Sequence, residues 1–151
     1  MTIPFARTVC ACPADIENCS RPGYLIPDDV AAIDEVLRGR GEHVPARWFE
    51  ASRGAIVADS TTGHRFRIAT IVPRTQGGRC VFLDQHRRCT IHETAPYGCA
   101  FFDVHQSWLE WQRRTVWGLQ QVRGDQTYAA IWETLAFRDG GAQEPFVVRR
   151  A

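Results

Sequence analysis

The chain contains no lysine; all 18 of its basic residues are arginine. Every cationic side chain is therefore a guanidinium, permanently ionised, with a rigid fork of donors suited to carboxylates and anionic sulfur. A bias in the coding genome accounts for the missing lysine equally well. A large net charge is absent too, since 17 acidic residues leave only +1. Such a balance gives no strong field for nucleic acid or an acidic membrane, so a nucleic-acid partner is not expected. No stretch approaches the ~20 apolar residues of a membrane span. The first ten residues lack the basic and apolar regions of a secretory signal. The expectation is a cytoplasmic protein with no membrane partner, whose thiols stay reduced. Glycine-rich cofactor loops, C-x3-C-x2-C radical motifs, internal repeats and domain linkers are also missing.

What is present suits one compact domain. A chain of 151 residues, 44% hydrophobic, can bury roughly two-thirds of its unfolded surface. The expected domain spans 1–141, followed by a loose tail over 142–151. Residues 1–26 read as an irregular loop. Pro27-Asp28-Asp29 opens a helix with Val30, Ile33, Val36 and Leu37 as its apolar stripe, stopped by Gly39. A short helix begins at Pro45 and runs through Trp48 and Phe49 towards Gly54. Residues 55–59 and 64–72 read as a hairpin around Ser60-Thr-Thr-Gly63, with a mostly period-two pattern at Phe66, Ile68 and Val72. Residues 103–122 carry one helical stripe: Val104, Trp108, Trp111, Thr115, Leu119 and Val122. Asp125 caps a last helix that ends at Gly140-Gly141. Helices and strands are segregated, so the expected class is α+β, mostly helical, with a short antiparallel β-hairpin and metal-binding cysteine loops.

The six cysteines form two triplets: Cys10, Cys12 and Cys19, then Cys80, Cys89 and Cys99. They avoid the periodic segments, where cysteines acting as small core hydrophobes would fall. In Cys10-Ala-Cys12 the two sulfurs point the same way if the backbone is extended. Their mutual disulfide would close a very small, strained ring. The second triplet is C-x8-C-x9-C, with Gly77-Gly78 before it and Pro96-Tyr-Gly98 before Cys99. Neither spacing is that of C-x2-C zinc knuckles or of ferredoxin runs. Buried thiols and disulfides remain alternatives to metal ligation.

Three pieces of the second segment carry a resemblance: Cys80-Val-Phe-Leu-Asp84, Arg88-Cys89-Thr-Ile-His92 and Ala95-Pro-Tyr-Gly-Cys99-Ala-Phe-Phe102. They resemble the YkgJ-like cysteine-cluster family, described as a zinc- or iron-chelating domain. The match is close over 79–102 and loose over 10–26. The family's first motif has four cysteines where this chain has three. His92 stands at a position often held by tyrosine, and Ala95 at one often held by arginine. The resemblance implies a metal-binding domain for zinc or iron, with an iron–sulfur cluster as one form.

The expected function is thus a metal-thiolate site shared by both triplets, with His92 and His105 as further candidate ligands. Its role would be structural, metal-handling or interactive, and not catalytic. The alternative is an iron–sulfur or open-site redox protein or enzyme, linked to protein modification. In either case the metal is expected to hold the two cysteine segments in the fold, because they lack a continuous apolar pattern of their own.

Overall fold

The computed structural model describes residues 2–8, 17, 21–58, 61–139 and 149–150. Helix α1 (Pro27–Gly39) begins at a proline, whose fixed φ suits a first turn. Asp28 and Asp29 lie on the positive end of its dipole. Its Ile33 and Leu37 are buried. Helix α2 (Pro45–Trp48) is a single turn. The chain then straightens at Phe49 into β1 (Phe49–Ala58), which pairs antiparallel with β2 (Arg65–Pro73) from Phe49↔Pro73 to Ala58↔Arg65. The helix read as running through Phe49 towards Gly54 therefore stops at Trp48, six residues earlier. A long-range ladder of backbone bonds wins over local helix preference there. One extra residue enters β1 between Ser52 and Ala55. Gly54 sits at this bulge with φ +70°, and a Cβ there would fall 1.7 Å from the Ile68 carbonyl oxygen.

Strand β3 (Thr75–Gln76) pairs with β4 (Arg79–Cys80) across Gly77 and Gly78. A 3₁₀ turn (His92–Thr94) leads to α3 (Tyr97–Ala100), α4 (Trp108–Val122) and α5 (Gln126–Arg138). Ser107 and Asp125 cap the two long helices by accepting from Glu110 N and Tyr128 N. Strand β5 (Arg149–Arg150) pairs antiparallel with β2, giving the sheet order β1-β2-β5. Residues 142–148 and 151 of the expected tail lie outside the described residues. The fold is a small α+β domain with an antiparallel hairpin longer than the sequence suggested. In β2 the period-two reading fails over four residues. Ile68, Ala69, Thr70 and Ile71 are all buried, so this stretch is covered on both faces.

One core cluster joins α1, the hairpin, α4 and α5 with Cys80, Phe82 and Ile91. A second gathers Ile26, Ala95, Tyr97, Ala100 and Phe101. These lists correct the expectation of metal-dependent cysteine loops. The segment 79–102 is attached to the domain by its own buried side chains: Phe82, Ile91, Tyr97 and Phe101 each bury nearly all their surface. The contacts are irregular in spacing because the segment is neither a long helix nor a long strand, so no period reveals them.

Asp29 ties the start of α1 to the start of α3. Its Oδ2 accepts the Ile26 N–H at 2.9 Å and the Tyr97 N–H at 2.7 Å. Burial raises its pKa to about 6, although both backbone bonds work in the opposite direction. Since both bonds fall on Oδ2, a proton on Oδ1 leaves them in place. The folded-state value exceeds the unfolded value of ~3.9, so the folded form binds the proton more tightly. The contribution of this group to stability should rise as pH falls from about 6 towards ~4, with no further gain below that. We expect the Tm difference between wild type and Asp29→Asn to shift in favour of wild type from pH 7 to pH 5. Parallel Tm curves over that range would show that Asp29 does not titrate there.

Candidate functional site

Three of the six cysteines expected as ligands, Cys80, Cys89 and Cys99, are among the described residues. Cys80 is buried at the end of β4, within the first core cluster. Cys89 packs against that cluster and forms an isolated antiparallel bridge with Leu83. Cys99 lies on α3 against the second cluster, where its Sγ accepts the Gly23 N–H at 3.1 Å. His92 and His105 are exposed. The His92 carbonyl accepts from Arg7, and the His105 N–H donates to Asp103. Cys10, Cys12 and Cys19 lie outside the described residues. Among the described residues no group of three or more His, Cys, Asp or Glu side chains is placed to hold a metal ion. The shared metal-thiolate site, its zinc, iron or iron–sulfur occupant and the redox alternative built on it are therefore overturned. The physical reason is packing: Cys80 and Cys89 serve one apolar cluster and Cys99 the other.

A different site stands between α2 and the β3–β4 hairpin. It is a cleft of about 590 Å³ lined by Arg47, Trp48, Arg74, Thr75, Gln76 and Val81. The Trp48 indole is fixed from two sides. Its Nε1–H donates to the Glu42 carbonyl at 2.8 Å, and its ring stacks on Phe82 with centroids 5.2 Å apart. The Arg47 guanidinium lies 5.3 Å from the Trp48 ring centroid. Arg74 is held more tightly. Its Nε donates to the Ala46 carbonyl at 2.8 Å, one terminal nitrogen pairs with Asp139, and the other lies 3.8 Å from Glu50. The charge of Arg74 is thus balanced by carboxylates, whereas Arg47 has no such partner among the described residues.

The second feature is the stripe of α4. At ~100° per residue, Trp108, Trp111, Thr115, Leu119 and Val122 share one face. The C-terminal half of this stripe is core: Leu119 is 1% exposed and Val122 fully buried. The N-terminal half is surface, with Trp108 75% and Trp111 49% exposed. Leu109 beside them is 64% exposed and Val104 just before the helix 45%. Residues 103–107, read as the first turn of this helix, are non-helical and put Ser107 at the cap. The domain core ends halfway along an apolar stripe that continues beyond it. Phe102 meets Trp111 edge-on with centroids 5.3 Å apart, so Trp111 is held on its inner side. Glu110 and Arg113 stand at the rim, 3.4 Å from each other, and Glu110 also pairs with Arg114 at 2.8 Å.

Among the described residues no helix is long and apolar enough to cross a membrane. No family model, curated protein or solved structure matches this chain, and with no metal-holding cysteine group among the described residues the resemblance to the YkgJ-like cysteine-cluster family is overturned.

Proposed function

We propose that this protein is a non-catalytic interaction module that associates with a second copy of itself through the N-terminal half of α4. The observation that carries this reading is the single stripe whose Leu119 and Val122 are buried while its Trp108 and Trp111 are exposed. Large aromatics left in water at one place mark an interaction surface more often than scattered exposed aliphatics do. Val104, Trp108, Leu109 and Trp111 together present roughly 400–500 Å², the size of the largest patch on a typical monomer. Doubled across a two-fold axis, that is below the ~1,600 Å² of a standard stable interface. The fitting partner is a copy held weakly. A net charge of +1 sets up little repulsion between copies. The rim is self-complementary, because Glu110 and Arg113 flank the same patch and a two-fold axis brings opposite signs together.

Sedimentation velocity over a concentration series tests it. We expect a monomer–dimer equilibrium with Kd on the order of 10–100 µM. Trp108→Ser should remove the dimer and leave Tm nearly unchanged, since the indole contributes little to the monomer core. A wild-type protein that stays monomeric up to about 1 mM overturns the reading. So does a Trp108→Ser variant that dimerises as well as wild type.

A further inference from the structure

We infer that the cleft between α2 and the β3–β4 hairpin binds a small organic oxyanion, with its carboxylate or phosphate head on Arg47 and its body against Trp48 and Val81. The first support is unspent donor capacity. Among the described residues Arg47 has no carboxylate partner, and its guanidinium lies over the Trp48 ring. Thr75 and Gln76 are engaged through their backbones in the β3–β4 pairing, and both are exposed. Both residues line the same cleft as Arg47. Three residues with donor side chains of different reach thus line one space. An oxyanion is the ligand class that uses a guanidinium fork and neutral donors together.

The second support is rigidity. Trp48 cannot turn without losing its bond to Glu42 and its stack on Phe82. Arg74 pins α2 to the cleft floor through Ala46, and its backbone N–H donates to the Trp48 carbonyl at 2.8 Å. The Val81 N–H in turn donates to the Arg74 carbonyl at 2.8 Å. A preorganised site loses little entropy when a ligand enters. Two carboxylates, Glu50 and Asp139, flank Arg74, so with Arg47 and Arg74 the local charge sums to zero and Arg47 is the cation left to meet a ligand. That favours a single anionic head over a polyanion. Size argues against a bare ion. About 590 Å³ falls within the roughly 300–1,000 Å³ of small-molecule sites, far more than inorganic phosphate fills.

Isothermal titration calorimetry with phenyl phosphate, benzoate and inorganic phosphate tests the inference. The Trp48 indole N–H resonance, assigned by Trp48→Phe, is followed in parallel. We expect phenyl phosphate or benzoate to bind with Kd below about 1 mM and to shift that resonance. Inorganic phosphate should bind at least about tenfold more weakly. Arg47→Ala should weaken the organic anion by about tenfold, and Arg47→Lys should restore part of the loss. Arg47 is an exposed side chain on a one-turn helix, so both variants should keep the wild-type circular dichroism spectrum. The inference is overturned if neither organic anion binds at about 10 mM, if Arg47→Ala binds as wild type does, or if inorganic phosphate binds as tightly as phenyl phosphate.

Discussion

Replacing Gly98 by alanine is expected to destabilise the fold by about 3 kcal/mol or more, at or above the upper end of ordinary overpacking. The cause is space, since Gly98 is not in the positive-φ region. A Cβ on Gly98 would lie 2.4 Å from the Tyr24 nitrogen and 2.7 Å from the Gly23 Cα. Each of these is backbone, so no rotamer change relieves the overlap. The two chains approach so closely because the Gly98 N–H donates to the Tyr24 carbonyl at 2.9 Å while the Gly23 N–H reaches Cys99 Sγ. Separating them would break both bonds and disturb the Tyr97 N–H on Asp29. Gly39 is the control. Among the described residues nothing lies within 4 Å of a Cβ built there, and it is the last residue of α1. Gly39→Ala should be neutral or slightly stabilising, by at most ~1 kcal/mol. Urea denaturation of the two variants gives the comparison. A Gly98→Ala midpoint equal to that of Gly39→Ala would show that the segments do not pack as described.

Local chemistry was legible in the sequence, and encounters between distant segments were not. Pro27, Asp28 and Asp29 announce α1 because a helix start is decided within one turn. Asp125 announces α5 for the same reason. The stripe from Trp108 to Val122 was also readable, since helical period follows from residue spacing. What spacing does not contain is where the core ends along that stripe, so it does not show that Trp108 and Trp111 lie in water. The start of β1 at Phe49 depends on Pro73, 24 residues away, and nothing local distinguishes it from a continuing helix. The cysteines failed for a different reason. A thiol is both a metal ligand and a small hydrophobe, and Phe82, Ile91 and Tyr97 supply the apolar surroundings in which Cys80, Cys89 and Cys99 sit. Arg47, Arg74 and Gln76 share a cleft through the β3–β4 pairing and the Arg74–Ala46 bond, and they form no motif.

Tyr128→Phe should cost about 2–4 kcal/mol, a large effect for one oxygen atom. Its hydroxyl donates to the Leu25 carbonyl at 2.7 Å and accepts the Ile71 N–H at 2.7 Å. Tyr128, Leu25 and Ile71 are each 1% exposed or less, so water cannot replace either bond. Beside them the Leu25 N–H donates to the Ile71 carbonyl at 2.8 Å. The edge of β2 that faces away from β1 is thereby closed at Ile71 by one backbone bond and one phenol. Burial raises the Tyr128 pKa well above that of a free phenol, so the group acts as a neutral donor and acceptor at any ordinary pH. Phenylalanine keeps the ring and its contacts with Leu25, Ile71 and the α5 face, so no cavity adds to the loss. What remains is a buried carbonyl and a buried N–H, each deprived of this partner, at roughly 1–3 kcal/mol apiece. Urea denaturation reads the stability change, and amide hydrogen exchange at Ile71 locates it. We expect Ile71 to exchange faster in the variant by more than the global loss of stability explains, because its own bond is gone. A loss under about 0.5 kcal/mol with unchanged protection at Ile71 would mean that the hydroxyl does not bridge the two segments.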